Sequence, residues 1–213
     1  FNMPASAVTG FSSYTSNIGN LLNQGIEFEL SSLNIGLMNF TWSTDFNFTW
    51  QRSTVESLPN GGSDIIYGDG GMYIHREGES MYSFYLPVWK GVNPENGLGE
   101  FWVDPEDHSK GVTNYYTEAG STIVGKALPD FVGGVTNTMT FMDDMFDISF
   151  LISYQFGGSL FDYPGYFTHS DGFRAASMNA ADDAADYWTP QNIDAKFPKP
   201  IMNNPYRWDR FSS

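Results

Sequence analysis

The sequence predicts an all-β fold: an antiparallel transmembrane β-barrel, of which these 213 residues form a part. Three observations predict it. Apolar and polar residues alternate with period two over long segments, short connections between these segments are followed by long ones, and no apolar run reaches the roughly 18 residues of a spanning helix. Outer-membrane barrels combine these features, because each strand has one face in lipid and the other in water.

The first alternating segment covers residues 26–30, where Glu27 and Glu29 share one face and the three apolar residues share the other. A short connection is predicted over residues 31–37. Its length is typical of the tight turns at the periplasmic end of such barrels.

The second segment, residues 40–50, has the clearest alternation, with Phe or Trp at five even-numbered positions and polar residues at the odd ones. Ten residues at about 3.3 Å each, tilted by about 45°, span roughly 23 Å of the membrane normal. Aromatic residues at both ends suit the interfacial girdles of a barrel.

Two further strands are predicted at residues 135–141 and 148–156, joined by a short Asp-rich turn at 142–145. The long stretches at 53–128 and 158–213 are predicted as external loops, the first with strand fragments. One Ala-rich loop helix is predicted at residues 173–188, with Asp171 as its N-cap.

A soluble β-sandwich is the alternative fold, since its strands also alternate. Sandwich strands usually have about 5–6 residues, whereas the 40–50 segment is twice as long. Its polar face carries mostly Thr, Ser and Asn, where soluble edge strands usually carry Lys or Glu. The barrel is therefore the favoured interpretation.

Composition narrows the function. A net charge of −15 disfavours nucleic acid as a partner. The absence of cysteine excludes disulfides, thiolate metal sites and cysteine nucleophiles within this sequence. Three scattered histidines form no catalytic motif. We therefore predict no catalytic residue, metal or cofactor, and expect that the chain is not an enzyme.

Two acidic groups are candidate sites. Glu27 and Glu29 would place their carboxylates roughly 6–7 Å apart, a spacing that glycoside hydrolases use, but a water-filled lumen explains them better. Asp143, Asp144 and Asp147 offer oxygen ligands for a hard cation, yet an Asp-rich turn is the commoner explanation.

Aromatic residues in the external loops are the predicted ligand contacts, because aromatic faces stack on sugars and line peptide clefts. Packing within the loops and contact with a partner protein are the alternatives. The candidates are Tyr163, Tyr166, Phe167, Tyr187 and Trp188.

Five strings resemble a known family. NIG at 17–19 with NQGIE at 23–27 resembles an element common to the barrels of TonB-dependent transporters. Four more are similar to the SusC branch and occur in its order: NFTW to NFT at 39–49, GVNPENG at 91–97, PDFVGG at 129–134, and FDISF to QFGG at 146–158. Together they cover about three quarters of the chain.

The resemblance implies a piece of a barrel of about 22 strands in the outer membrane of Bacteroidetes. Such importers take up oligosaccharides or peptides, use a SusD-like surface lipoprotein as a lid, and draw energy from TonB. Residues 1–213 are then a partial TonB-dependent transporter barrel domain in contact with outer-membrane lipid. The plug domain, through which TonB acts, is expected to lie outside this sequence.

Two rival functions remain at this point: a secreted carbohydrate-binding β-sandwich that uses the loop aromatics, and a glycoside hydrolase that uses Glu27 and Glu29. The sandwich predicts a soluble monomer, whereas a barrel fragment would aggregate through its unpaired strand edges.

Overall fold

The computed structural model describes residues 2–4, 10, 13–15, 19–169 and 179–201, which form antiparallel β-sheets joined by short helices. The strands are β1 (Asn2–Pro4), β2 (Ser13–Thr15), β3 (Asn20–Leu37), β4 (Phe40–Ser57), β5 (Ile65–Tyr67), β6 (Tyr73–His75), β7 (Ser83–Pro87), β8 (Trp89–Val92), β9 (Gly99–Trp102), β10 (Val112–Thr113), β11 (Ser121–Lys126), β12 (Phe131–Phe141) and β13 (Phe146–Phe156). The α-helices are α1 (Pro59–Gly62) and α2 (Tyr163–Thr168), and 3₁₀ turns cover Asp69–Gly71, His108–Lys110, Tyr116–Glu118 and Asp182–Ala185. No helix among the described residues has the length and hydropathy to cross a bilayer.

The chain divides into two compact units. The first, here called the sheet unit, comprises the described residues up to Ile65 with His75–Tyr82 and Lys126–Ser159. The second, called the loop unit, comprises Ile66–Ile74, Ser83–Gly125 and the described residues from Leu160 onward.

Four long strands build the sheet unit in the order β3-β4-β12-β13, and every neighbouring pair is antiparallel. β3 and β4 have 18 residues each, and β12 and β13 have 11 each. Two tight turns, at 38–39 and 142–145, lie at the same end, where the Met142 amide donates to the Asn39 carbonyl at 2.9 Å. The longer connections therefore leave from the opposite end.

The register collects the apolar residues of all four strands on one side, here called the apolar face. Residues opposite each other on paired strands point the same way, so each row across the sheet shares a face. The rows are Ile26–Trp50–Phe131–Phe156, Phe28–Phe48–Gly133–Tyr154, Leu30–Phe46–Val135–Ile152, Ser32–Thr44–Asn137–Phe150, Ile35–Trp42–Met139–Ile148 and Leu37–Phe40–Phe141–Phe146.

The first and last of these rows each contain three aromatic residues. Ring centroids of Phe40 and Phe141 lie 5.1 Å apart in one end row, and Phe131 of the other packs 5.8 Å from Phe48. The rows between them mix aliphatic with aromatic side chains. An apolar band bounded by aromatic residues at both ends is the pattern of a barrel surface in lipid.

The other side, called the polar face, is lined mainly by hydroxyl, amide and carboxylate groups, with Leu33, Val132 and Leu151 as apolar members. Ser31 donates to Asp45 at 2.6 Å, and Thr138 and Ser149 lie 3.2 Å apart across β12 and β13. Its polar members are Glu27, Glu29, Ser31, Thr41, Ser43, Asp45, Asn47, Thr49, Thr136, Thr138, Thr140, Asp147, Ser149, Ser153 and Gln155.

A bulge in β3 between Leu33 and Ile35 interrupts its period-two pattern, next to the one row of the apolar face that is mainly polar. Asn34 donates to Thr44 at 2.6 Å, and Thr44 donates to Asn137 at 2.8 Å. The Trp42 indole N–H donates to the same Asn137 oxygen at 3.0 Å. Mutual hydrogen bonds lower the cost of placing these groups in an apolar band.

The loop unit has small sheets and a conventional buried core. One sheet has the order β10-β9-β8 and another, mostly within this unit, has the order β11-β7-β6-β5. Ile74 and Phe101 are fully buried, and Phe84 and Leu86 are nearly so. The Phe101 ring lies between Trp89, at 5.0 Å, and Tyr116, at 5.9 Å, both edge-on.

Two predicted strand boundaries and one predicted helix were wrong. Residues 31–37 continue β3 instead of forming a connection, because the bulge lets the strand absorb the polar residues. β4 also continues past Trp50 to Ser57. In the predicted helix at 173–188, residues 182–185 form a 3₁₀ turn and Tyr187 forms a β-bridge to Phe197, so tertiary pairing overrides the helical preference of the alanines. Residues 170–178 lie outside those described.

Candidate functional site

The polar face is the first candidate surface. Four carboxylates lie on it, from Glu27, Glu29, Asp45 and Asp147, and the four strands contribute no basic side chain to this face. A negatively charged surface of this kind, in contact with water, attracts cationic groups and repels anionic ones. It also offers a series of hydroxyl and amide groups that exchange hydrogen bonds with a passing polar solute.

The paired carboxylates do not have the setting of a hydrolase. Glu27 lies opposite Thr49 and Glu29 opposite Asn47, and both glutamates are exposed. An acid–base pair needs two environments that separate the roles of the two groups, such as an apolar pocket around one of them. Both glutamates have the same exposed, polar surroundings, as expected for residues that line a water-filled channel.

Asp143 and Asp144 belong to the turn between β12 and β13. Met142, Asp143 and Asp144 all have positive φ, of 55°, 54° and 64°. Aspartate is among the few non-glycine residues that tolerate this region, because its short side chain bonds nearby backbone. Among the described residues, no group of three or more His, Asp or Glu is arranged to hold a metal ion.

Tyr163 and Phe167, two of the predicted ligand contacts, lie together on α2. Their rings meet edge to face at 4.9 Å, and Tyr163 is half exposed. Asp162 caps the helix by accepting from the Gly165 amide at 2.8 Å. Tyr166 follows on the same helix, but its side chain lies outside the description. This short helix was not predicted from the sequence.

Tyr187 and Trp188 lie in a second segment of the loop unit. The Trp188 indole N–H donates to the Pro94 carbonyl at 3.0 Å, and its ring lies directly against Gly97, whose φ is +72°. Trp188 therefore fixes the 93–97 turn. Tyr187 is more open, at 40% exposure, and its backbone pairs with Phe197.

Phe197 connects the two groups of aromatics. His169, at the end of α2, stacks on its ring at 5.2 Å, and His169 Nε2 lies 2.7 Å from Asp183. Hydrogen bonds from Lys196 and then His169 hold the pKa of Asp183 below its usual value. We call this set, Tyr163, Phe167, His169, Tyr187 and Phe197, the loop aromatic group.

An ion pair between a buried carboxylate and an exposed lysine, which sequence reasoning missed, supports the loop unit. Glu100 is buried, and it accepts from Lys90 at 2.5 Å and from Asn93 at 2.8 Å. Burial raises the pKa of Glu100, but the bonds from Lys90 and Asn93 outweigh it and leave the pKa below the usual value. Lysine and glutamate ten residues apart carry no local signal of pairing, so the contact needed the fold to be known.

Comparisons with known proteins show relatives along nearly the whole chain. TonB-dependent receptor P3 of Formosa agariphila is 30% identical over 95% of this chain and 21% of its own length. TonB-dependent receptor SusC of Bacteroides thetaiotaomicron is 30% identical over 64% of this chain and 14% of its own. The chain thus spans about a fifth or less of these relatives. No family model matches it.

Solved structures agree. The RagAB peptide transporter superposes with a TM-score of 0.80 at 21% identity, over 92% of this chain and 22% of that chain. The RagAB importer in its "open-open" state gives 0.79 over 97% of this chain, at 20% identity and again 22% of that chain. The predicted fold class, part of an antiparallel transmembrane β-barrel, is confirmed.

Proposed function

We propose, from the premise that this chain is a homologue of the SusC-like TonB-dependent receptors, that it forms part of the barrel wall and external loops of an outer-membrane importer. The same matches confirm the predicted resemblance and the outer-membrane location. Residues 1–213 are proposed to be a part of the barrel domain, and TonB to act through a plug domain elsewhere in the polypeptide.

The observation that carries the proposal is the separation of the two faces of the sheet. Along the six rows the apolar face carries no charge and has aromatic residues at both ends. The carboxylates of the same strand segments all lie on the polar face. In water the exposed Ile26, Leu37 and Ile152 would be unfavourable, at 63%, 65% and 60% exposure. In a bilayer the same arrangement is stable, with lipid on one side and an aqueous lumen on the other.

The substrate is proposed to be an oligosaccharide or a peptide, and the partner a SusD-like surface lipoprotein. RagAB is described as a peptide transporter, which favours a peptide. The negative polar face supports a solute that is neutral or positively charged, since an anionic one would be repelled. The chain is proposed to carry out no covalent chemistry.

Ligand contact is proposed for the five predicted aromatics, of which Tyr163, Phe167 and Tyr187 fit best. Tyr163 and Tyr187 keep much of their side chains exposed, and edge-to-face packing leaves ring surface available for stacking. Trp188 has a packing role as well, because its indole fixes the 93–97 turn. Contact with the lipoprotein is the competing role for the same surface.

A matched pair of cysteine variants in the full-length transporter tests the wall. Phe48→Cys lies on the apolar face and Thr49→Cys on the polar face of the same strand, and this chain has no cysteine of its own. In a background without other cysteines, a fluorophore at residue 48 should be quenched by nitroxide-bearing lipid. A water-soluble maleimide should modify residue 49 but not residue 48.

Equal quenching and equal labelling at both positions would contradict the barrel-wall proposal.

The same experiment distinguishes the barrel from the rival carbohydrate-binding sandwich. A soluble carbohydrate-binding sandwich predicts no lipid quenching at either position, and β4, at 18 residues, is far longer than a sandwich strand. If the protein were a glycoside hydrolase, Glu27→Gln and Glu29→Gln would abolish glycoside cleavage. We expect instead that wild type and both variants take up the solute and that none of them cleaves glycosides.

A further inference from the structure

Arg52 is the only basic residue on the four long strands, and the register places it on the apolar face. It lies opposite Gln24, one row beyond the aromatic row that contains Trp50. This is the end of the sheet from which the long connections leave. Its side chain is exposed, in a face whose six rows carry no other charge.

The strand neighbours of Arg52 come from β3 and β4, because the pairing of β4 with β12 ends one row earlier, at Trp50 and Phe131. On that face they are Gln24 across the strand pair and Trp50 and Thr54 along the strand, none of them acidic. Asp130, just before β12, lies beside Gln51, alternates to the polar face and is engaged by Lys126. Glu79 lies beside Val55, whose amide donates to the Glu79 carbonyl at 2.9 Å. Glu56 lies four residues along, about 13 Å away in an extended strand.

Among the described residues, no acidic side chain forms an ion pair with this guanidinium. An arginine at this level snorkels from the apolar band toward the lipid headgroups. The guanidinium presents paired N–H donors that match two phosphate oxygens. Gln24, opposite Arg52, adds an amide donor, and Trp50 lies one row below on the same face.

We propose that Arg52, with Gln24 and Trp50, forms a binding site for the phosphate group of an outer-leaflet lipid. The inference rests on the proposed function, since that function puts the apolar face in the bilayer with the loop end outward. The site would hold one lipid against the outer end of β4. It lies on the opposite side of the sheet from the polar face.

Native mass spectrometry of the purified full-length transporter tests this site, with monophosphoryl lipid A added as the probe. Arg52→Gln should reduce lipid retention by about tenfold, and Arg52→Lys should retain an intermediate amount, because lysine keeps the charge but loses the paired donors. Lys199→Gln, which removes one positive charge in the loop unit, is the control and should match the wild type.

Dephosphorylated lipid A should bind wild type and Arg52→Gln equally. Inorganic phosphate should not compete, because a lipid needs the acyl boundary as well as the charge. Equal lipid retention by wild type and Arg52→Gln, or full competition by inorganic phosphate, would overturn the inference. Heat-modifiable migration in gels and solute uptake are measured on the same samples. If both are intact while the lipid results contradict the inference, only the lipid site is wrong. If the wild type forms no barrel, the proposed function itself fails.

Discussion

Apolar side chains on the six rows of the sheet unit and in the core of the loop unit differ sharply in their exposure. In the sheet unit Ile26, Leu37 and Ile152 are each at least 60% exposed, whereas in the loop unit Ile74 and Phe101 are fully buried. The hydrophobic effect explains both the exposure and the burial if the apolar face is surrounded by lipid and the loop unit by water. Exposure of apolar residues is thus informative only when the surrounding medium is known, and here it distinguishes a lipid-facing wall from a water-exposed loop domain.

The largest effect should come from the core of the loop unit. Phe101→Ala removes a fully buried ring between Trp89 and Tyr116, and should destabilise the loop unit by about 3–5 kcal/mol. The matched change Phe156→Ala, on the apolar face, should cost only about 1–2 kcal/mol, since lipid fills the space that the ring leaves. Hydrogen exchange of the folded transporter measures both, and equal costs would contradict the two-solvent comparison.

A charge placed on each face of β12 is the next test. Val135→Lys puts an ammonium in the middle of the apolar band and should cost about 2–4 kcal/mol, whereas Thr136→Lys on the polar face should cost little. Denaturant titration of the transporter in vesicles measures the difference. If Thr136→Lys is the more harmful change, the two faces have been assigned the wrong way round.

A smaller effect is expected at the close approach between β12 and β13. A Cβ at Gly133 would collide with the Tyr154 ring and the Asn47 carbonyl, so Gly133→Ala should cost about 1–3 kcal/mol. At Gly134 the nearest atom is the flexible end of Leu151, at 3.1 Å, and Gly134→Ala should be milder. The ratio of folded to unfolded transporter in urea gives the comparison, and equal costs would indicate that Tyr154 moves aside freely.

The smallest effect is a pH dependence confined to the loop unit. The pKa of Glu100 is lower when folded, so its contribution is complete above the unfolded value and is lost as pH falls through the folded one. The protection of the β8 and β9 amides, relative to the intrinsic exchange rate at each pH, should therefore fall below about pH 4.5, the ordinary region for glutamate. In Glu100→Gln this acid-dependent step should disappear, and its persistence would assign the step to another group.

Much of the sheet unit could be predicted from the sequence, because long strands with two different surroundings repeat their signal many times. Residues 40–50 and 148–156 were predicted from this alternation, and the structure confirms both. Residues 31–37 were missed because the bulge shifts the period by one residue. The placement of Arg52 on the apolar face likewise required the observed register.

The loop unit was much less predictable. Its strands β5 to β11 have two to six residues, too few to show a period. β7 is largely buried, so no polar face marks it. The pairing of Glu100 with Lys90 and the position of Trp188 over Gly97 depend on contacts that only the fold creates. The sequence thus predicts a set of loop aromatics as ligand contacts, and their arrangement could not be predicted from it.

The turn at 142–145 has a kinetic consequence. Three successive non-glycine residues in the left-handed region cost about 1–2 kcal/mol each, so this turn is a poor starting point for a hairpin. Pairing of β12 with β13 should begin at their loop ends and close toward the turn last. Asp144→Gly should then speed the insertion of the barrel into vesicles, and an unchanged rate would indicate that the turn closes early.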